Sequence, residues 1–424
     1  MRRLLLCLAA FAAAALLPAA AEARTGVCLP GAPGPACQVW FGKVTYIGDG
    51  DTLYVRLDGE RKSQRVRLSG VQAMEQTVYS SRAARRQGEC HSLGATERVE
   101  NLLKRGRMRV RLAAQDEASR SQGRLRRAVA VKIRGRWRDI GRILIVEGHA
   151  LWLSNGPEYA WNSQYSWLAQ RAASERELGL WDATHCAEGP SVGAPIGLTV
   201  NWDQRATAAE GFDGEWIKVR NYDPVNALPL GGWWLRDSGL RRFTFPPETV
   251  VPPGGTLTVA VGEGLTPANF HWNLRRPIFD NPSDGVRKTG DGAYLFDPDG
   301  DLRAWMMYPC RFGCSDLNAG AIEVTTKVRG RERVDLRNVA AHAVNLDGYR
   351  VSSPPDSYTF GPDSVLAPGE SLRLVGRGDP AASTRLRRLW GLTGFTFPNR
   401  GGRVVVESLD GITIGCDAWG GRSC

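Results

Sequence analysis

After residue 23 the 424-residue sequence has no run approaching the roughly 18 uninterrupted apolar residues that a membrane-crossing helix needs, so no membrane span is expected. No cysteine directly follows Ala21-Glu22-Ala23, so no lipid anchor is expected there either. After Pro190 there is no convincing amphipathic helix, only Gly, Pro, Trp and short β-prone runs, which points away from a helical second half. The acidic stretch Asp297-Pro298-Asp299-Gly300-Asp301 lacks the spacing and the distal glutamate of an EF-hand loop, and reads as a turn.

What is present begins with MRRLLLCLAAFAAAALLPAAAEA: two arginines, an apolar run of signal-peptide length, a proline and an A-x-A pattern. The expectation is a signal peptide over residues 1–23 and a product secreted to the extracellular or cell-envelope space. Cys7 would leave with that segment, and the cysteines that stay are Cys28, Cys37, Cys90, Cys186, Cys310, Cys314, Cys416 and Cys424. An even number in an exported chain reads as a disulfide framework. Short-range pairs Cys28–Cys37 and Cys416–Cys424 are expected, with Cys90–Cys186 tying down the first domain. Cys90-His91 and His185-Cys186 offer zinc-ligand types, but adjacent residues seldom aim at one point and export favours oxidation.

A length prior of about 150 residues per domain gives two to four domains, and the texture of the chain favours three. The net charge of +11 is unevenly spread, since residues 41–189 hold 26 Lys/Arg against 17 Asp/Glu. A basic domain attracts polyanions, nucleic acid first among them, through phosphate contact and counterion release. A merely solvated basic surface is the plainer alternative.

Residues 24–38 are rich in Pro and Gly and read as a disulfide-closed arm, with order beginning at Val39. From there VWFGKVTYI, TLYVRLDG and QRVRLSGV, separated by Gly-Asp-Gly and Asp-Gly turns, read as a three-stranded meander. SLGATERVENLLKRG has apolar residues at Val99, Leu102 and Leu103, late basic residues and a terminal Gly106, and reads as a helix. RMRVRLAA and RAVAVKI read as strands, GRILIVEG as a short helix closed by Gly148, HALWL as a strand and residues 160–178 as a further helix. Together they make a small barrel with helices on it, over residues 39–188.

Four features of that stretch carry chemistry. Asp49-Gly50-Asp51-Thr52 sets two acids around a tight turn; Arg67 ends a strand; and Gln72-Ala73-Met74-Glu75 follows, with Gly123-Arg124 further on ahead of a strand. Each alone is ordinary: a hairpin turn, a surface charge, a loop acid. Taken with VEGHALW at 146–152 and LGLW at 178–181, in this order, the stretch 40–182 resembles the staphylococcal-nuclease-like (thermonuclease) family. The resemblance implies an oligonucleotide-binding-type (OB-fold) five-stranded barrel with about three helices, and phosphodiester hydrolysis assisted by calcium. Carried over, Asp51 is the metal carboxylate, Arg67 and Arg124 clamp the phosphate, and Glu75 positions or deprotonates the attacking water. Arg127 competes with Arg124 if the alignment slips, and Gly123 favours Arg124. Gln72 stands where the family has a second metal-binding aspartate, beside the Ala73 carbonyl. An amide oxygen can ligate calcium but brings no charge.

The second half contains an internal repeat. EWIKVRNYDPVNALPLGGWWL (215–235) is echoed by ERVDLRNVAAHAVNLDGYRV (332–351), and FTFPPETVVPPGGTLTVAVGEG (243–264) by YTFGPDSVLAPGESLRLVGRG (358–378). The spacing makes each copy a domain, not a solenoid repeat, and the short strands with frequent turns read as β-sandwiches. These units, about 197–310 and 318–424, resemble lamin-tail domains with an immunoglobulin-like sandwich, which implies binding or scaffolding rather than catalysis. Their partner cannot be read from the sequence. The fold class expected is therefore mainly β. The function expected is a secreted, monomeric, calcium-assisted nuclease acting on DNA or RNA. The alternative is a catalytically degenerate protein that binds nucleic acid or another polyanion.

Overall fold

The computed structural model describes residues 23–31, 34–76, 89–182, 193–202, 214–239, 241–262, 268–281, 290–316, 318–361, 364–394, 397–408 and 411–424. Residues 1–22 of the expected signal peptide, His185 and Cys186 lie outside the described residues.

The chain is mainly β. Its first part is a closed barrel of β2 (Ala36–Ile47), β3 (Thr52–Leu57), β4 (Gln64–Leu68), β8 (Arg124–Ile133) and β6 (Arg109–Ala114), the last pairing back onto β2. Between them lie β5 (Val71–Ala73), α1 (Ser92–Arg105) and β7 (Arg120–Ser121). After β8 come β9 (Arg136–Asp139), α2 (Ile140–Val146), β10 (Ala150–Trp152) and α3 (Asn162–Glu175). Period-2 alternation turns Leu53, Val55 and Leu57 of β3 inward while Arg56 faces solvent. α1 buries Ala95, Val99, Leu102 and Leu103, and ends at Gly106, where a Cβ would come 2.0 Å from Val131 Cγ2. Asp139 caps α2 at the Arg142 amide and accepts the Tyr165 hydroxyl at 2.7 Å, tying α2 to α3.

The arm departs from expectation. β1 (Arg24–Val27) adds antiparallel to β2 in the register Arg24↔Val39, and the pairing begins before Val39. Gly26, Cys28 and Cys37 sit close against the barrel, with both cysteines buried, and Arg111 donates to the Val27 and Cys28 carbonyls. Proline and glycine count could not reveal an edge supplied by the barrel itself. Disulfides Cys28–Cys37, Cys310–Cys314 and Cys416–Cys424 are formed. Cys90 is disulfide-bonded too, so it offers no thiolate for the zinc alternative.

Two β-sandwiches follow. The first sets the sheet Ile196–Asn201, Trp216–Asn221, Thr256–Ala260, Phe270–His271 against the sheet Arg242–Thr244, Trp234–Asp237, Asp291–Phe296, Leu302–Tyr308. The second repeats the same strand order over Ile322–Lys327 to Thr413–Trp419. The repeated asparagine of the two Arg-Asn pairs has a structural cause. Asn221 Nδ2 donates to the Asn226 carbonyl at 2.7 Å, and Asn338 Nδ2 to those of His342 (2.8 Å) and Leu366 (2.9 Å), each holding a loop from inside. Asp297 is a turn residue: its Oδ1 accepts the Asp299 and Asp301 amides at 3.0 Å and its Oδ2 accepts from Arg303. Among the described residues no helix is long and apolar enough to cross a membrane.

The strands Trp234–Asp237 and Asp291–Phe296 are buried on both faces. Leu235, Ala293 and Leu295 fill the first sandwich, whereas Trp234, Tyr294 and Phe296 join the core cluster of the barrel. Trp181 meets Trp305 at 5.0 Å, and Gln170 of α3 bridges the Pro309 carbonyl (3.0 Å) and the Arg311 amide (2.7 Å). Barrel and first sandwich thus share apolar contact across their junction.

Candidate functional site

The site is built on the β2–β3 turn. The Gly48 amide donates to the Thr52 carbonyl at 2.8 Å and the Asp51 amide to Asp49 Oδ1 at 3.0 Å, which fixes Asp51 at the entrance of β3. Gly50 is required here: a Cβ would lie 2.8 Å from that of Ala95 and 2.9 Å from that of Ala73, so the turn passes tightly between α1 and β5. Asp51 Oδ2 accepts the Ala73 amide at 2.8 Å, and Oδ1 accepts the Thr52 hydroxyl at 3.1 Å.

Arg67 lies opposite Thr52 in the β3–β4 register. Its Nη1 is ion-paired with Asp51 Oδ1, and its Nη2 donates to Gln72 Oε1 and, at 3.3 Å, to the Val71 carbonyl. Gln72 sits on β5 opposite Leu151 of β10, so the HALWL strand forms the floor. Gln72 Nε2 donates to the Ala73 carbonyl at 3.2 Å and to Glu75 Oε1 at 2.9 Å. The Glu75 amide donates to Glu89 Oε2 at 2.9 Å, and the Glu89 amide to the Glu75 carbonyl at 3.0 Å. Arg124 opens β8 and its Nη1 donates to Thr52 Oγ1 at 3.2 Å. A continuous polar chain therefore runs Arg124, Thr52, Asp51, Arg67, Gln72, Glu75, Glu89.

Of the six sequence-chosen positions, Asp51, Arg67, Gln72, Glu75 and Arg124 belong to it, and Ala73 flanks it through its backbone, its amide on Asp51 and its carbonyl on Gln72. Arg127 does not: it is buried over the Trp40 ring at 4.6 Å and donates to the Glu117 and Ser119 carbonyls. Sequence reasoning passed over two members and one neighbour. Thr52 was in plain view inside the Asp-Gly-Asp-Thr stretch. Glu89 belongs to no regular element and carries no pattern. Arg236, whose Nη1 lies 3.7 Å from Glu89 Oε2, comes from the first sandwich.

Burial sets the charges. It pulls the Arg67 guanidinium down to about 9; Arg124 adds to this, while Asp49 and Glu75 resist, and Arg67 stays a cation at neutral pH. Burial also raises Glu75, with Arg67 opposing, and lowers Arg124, with Arg65 adding its repulsion. Beside the site, the outer face of the meander aligns Tyr46, Tyr54 and Arg65 across three strands. The tyrosine rings are 5.4 Å apart, Arg65 lies over Tyr54 at 5.9 Å, and Tyr46 is 57 % exposed.

Among the described residues no three His, Cys, Asp or Glu side chains group into a metal cage. The donors at the site are instead one carboxylate (Asp51), one amide oxygen (Gln72) and one peptide carbonyl (Ala73). These are hard oxygens of the kind calcium takes, low in charge, and they fit that ion in type.

No curated protein matches the chain. No match to the staphylococcal-nuclease-like family accompanies the barrel, although its closed five-stranded form agrees with an OB-fold. For the first sandwich there is a match: residues 199–310 match the family model of the Lamin Tail Domain.

Proposed function

We propose that the barrel hydrolyses phosphodiester bonds of nucleic acid, as a secreted calcium-assisted nuclease whose two lamin-tail units serve binding or localisation. The observation that carries this reading is the single polar chain joining Arg124, Thr52, Asp51, Arg67, Gln72 and Glu75 on a basic barrel. Hydrolysis needs charge neutralisation at the phosphate, a placed water and stabilisation of the five-coordinate transition state.

Arg67 and Arg124 approach from β4 and β8, and their planar forks can each donate two hydrogen bonds to phosphate oxygens. Glu75, held by its own amide on Glu89 and by Gln72 on its side chain, is the base that orients water. Asp51, Gln72 and the Ala73 carbonyl would hold calcium, which when bound supplies charge neutralisation at the phosphate. Phosphate arriving at Arg67 competes with Asp51 for the same guanidinium, so substrate binding and release of the Asp51 carboxylate are coupled. Disulfides among the described residues support an oxidising compartment.

The purified full chain with millimolar calcium should degrade single-stranded DNA or RNA, and chelator or Glu75→Ala should abolish it. Failure on both substrates, with a thermonuclease active in parallel, overturns the proposal. One observation favours the second reading, a non-catalytic polyanion binder: Arg67 already neutralises Asp51, and Gln72 adds no charge. That reading gives salt-sensitive binding without turnover under any metal.

A further inference from the structure

Arg236 is a buried cation in a strand packed on both sides. It is 2 % exposed, sits beside Trp234 and over the Phe296 ring at 6.0 Å, and donates Nε to the Asp237 carbonyl at 3.2 Å and Nη2 to the Gly239 carbonyl. Its side chain shares the face of Trp234, Tyr294 and Phe296, the face that joins the barrel core. A guanidinium so placed is costly without an anion; Asp237 and Glu75 feel its charge, and the carboxylate in ion-pair contact with it is Glu89, 3.7 Å from Nη1. Glu89, 15 % exposed, in turn clamps Glu75 by two hydrogen bonds, from the Glu75 amide to its carboxylate and from its own amide to the Glu75 carbonyl. Its carboxylate therefore faces the lamin tail domain and the candidate base together.

From this geometry we infer that Arg236 is a positioning residue: the first lamin tail domain, by docking on the barrel, holds Glu89 and through it the backbone of Glu75. The inference rests on the nuclease reading of Glu75. It makes the tail domain part of the hydrolytic apparatus as well as a tether, because the carboxylate that takes the Glu75 amide is the one that Arg236 pairs with. A base displaced by an ångström loses rate without losing substrate.

The test uses the full chain with Arg236→Met, Arg236→Lys, Glu89→Gln and the double variant Arg236→Met/Glu89→Gln. Each of Arg236→Met and Glu89→Gln should lower kcat by about tenfold to a hundredfold while KM for a single-stranded oligonucleotide stays nearly constant. Arg236→Lys should restore part of the loss, and the double variant should be no worse than the weaker single. In parallel, amide hydrogen exchange of the peptide containing Glu75 should quicken in both single variants. Glu89→Gln keeps the test open if Arg236→Met fails to fold. Unchanged kcat in Glu89→Gln, additive losses in the double variant, or unchanged exchange at Glu75 would overturn the inference. If the wild-type chain cleaves nothing, the nuclease reading falls, and exchange at Glu75 alone then decides the positioning: faster supports it, equal overturns it.

Discussion

Arg67 and Asp51 form a buried ion pair between β4 and the β2–β3 turn, with 4 % and 2 % of their side chains exposed. The same guanidinium donates to Gln72, so one cation stands between the two side-chain oxygens offered to a metal. Arg67→Ala should lower turnover by about two to three powers of ten, the usual cost of one preorganised donor. Leaving Asp51 buried and unpaired should also destabilise the barrel by about 3–5 kcal/mol. Adding Asp51→Asn should recover much of the stability and none of the rate. Urea unfolding together with initial rates separates the two effects, and a stable Arg67→Ala protein would mean that the pair contributes little to the fold.

Gln72→Asp tests the charge of the site. The new carboxylate would face Arg67 and the Ala73 carbonyl, and ligand charge tunes calcium affinity over several decades. The half-saturating calcium concentration for turnover should fall by about an order of magnitude. Calcium titration of the rate measures this, and an unchanged or higher requirement would show that Arg67, not Gln72, limits metal binding.

On the nuclease proposal, Tyr46, Tyr54 and Arg65 offer flat faces on the outer side of the meander for a single strand to stack on. Base stacking is worth about 1–3 kcal/mol per base, so Tyr46→Ala with Tyr54→Ala should raise KM for single-stranded substrate by roughly tenfold or more. The loss should exceed that for duplex DNA, whose bases are already stacked. Equal effects on both substrates would remove the platform from the binding path.

The strands and helices of the barrel were legible because each carries its own period: alternation in TLYVRL, the apolar face of SLGATERVENLLKRG, the glycine stops. The site was legible where motif residues are contiguous, as at Asp51 and Thr52, or end a strand, as at Arg67. It was illegible where distant segments meet. Glu89 has no local pattern, and Arg236 acquires its meaning only when the tail domain docks. Even so, an arginine within Trp233-Trp234-Leu235-Arg236-Asp237 was a signal, since a charge in a run that leaves no face for solvent needs a partner. The β1 pairing of Arg24–Val27 was hidden for a different reason: it folds back on Ala36–Val39, the start of β2, across a Pro/Gly loop that masks both short stretches.

Glu215 gives a pH dependence that belongs to the lamin tail domain alone. Its carboxylate is 4 % exposed, with Oε2 accepting the Ile278 amide at 2.6 Å and Oε1 the Phe279 amide at 3.1 Å. Burial raises it from 4.5 to about 8, the two amides opposing. The folded domain therefore keeps a proton that the unfolded chain has already released between those values. Stability falls wherever the folded state binds more protons, so it should be greatest below pH 4.5 as far as this group is concerned, decline through neutrality and level off above about 8. The whole excursion is of order 5 kcal/mol at most. Glu215→Gln keeps an oxygen for the Ile278 amide and cannot ionise, so its unfolding midpoint relative to wild type should rise from pH 5 to pH 8.5. Parallel pH profiles for the two proteins would show instead that the backbone donors hold Glu215 ionised throughout the range.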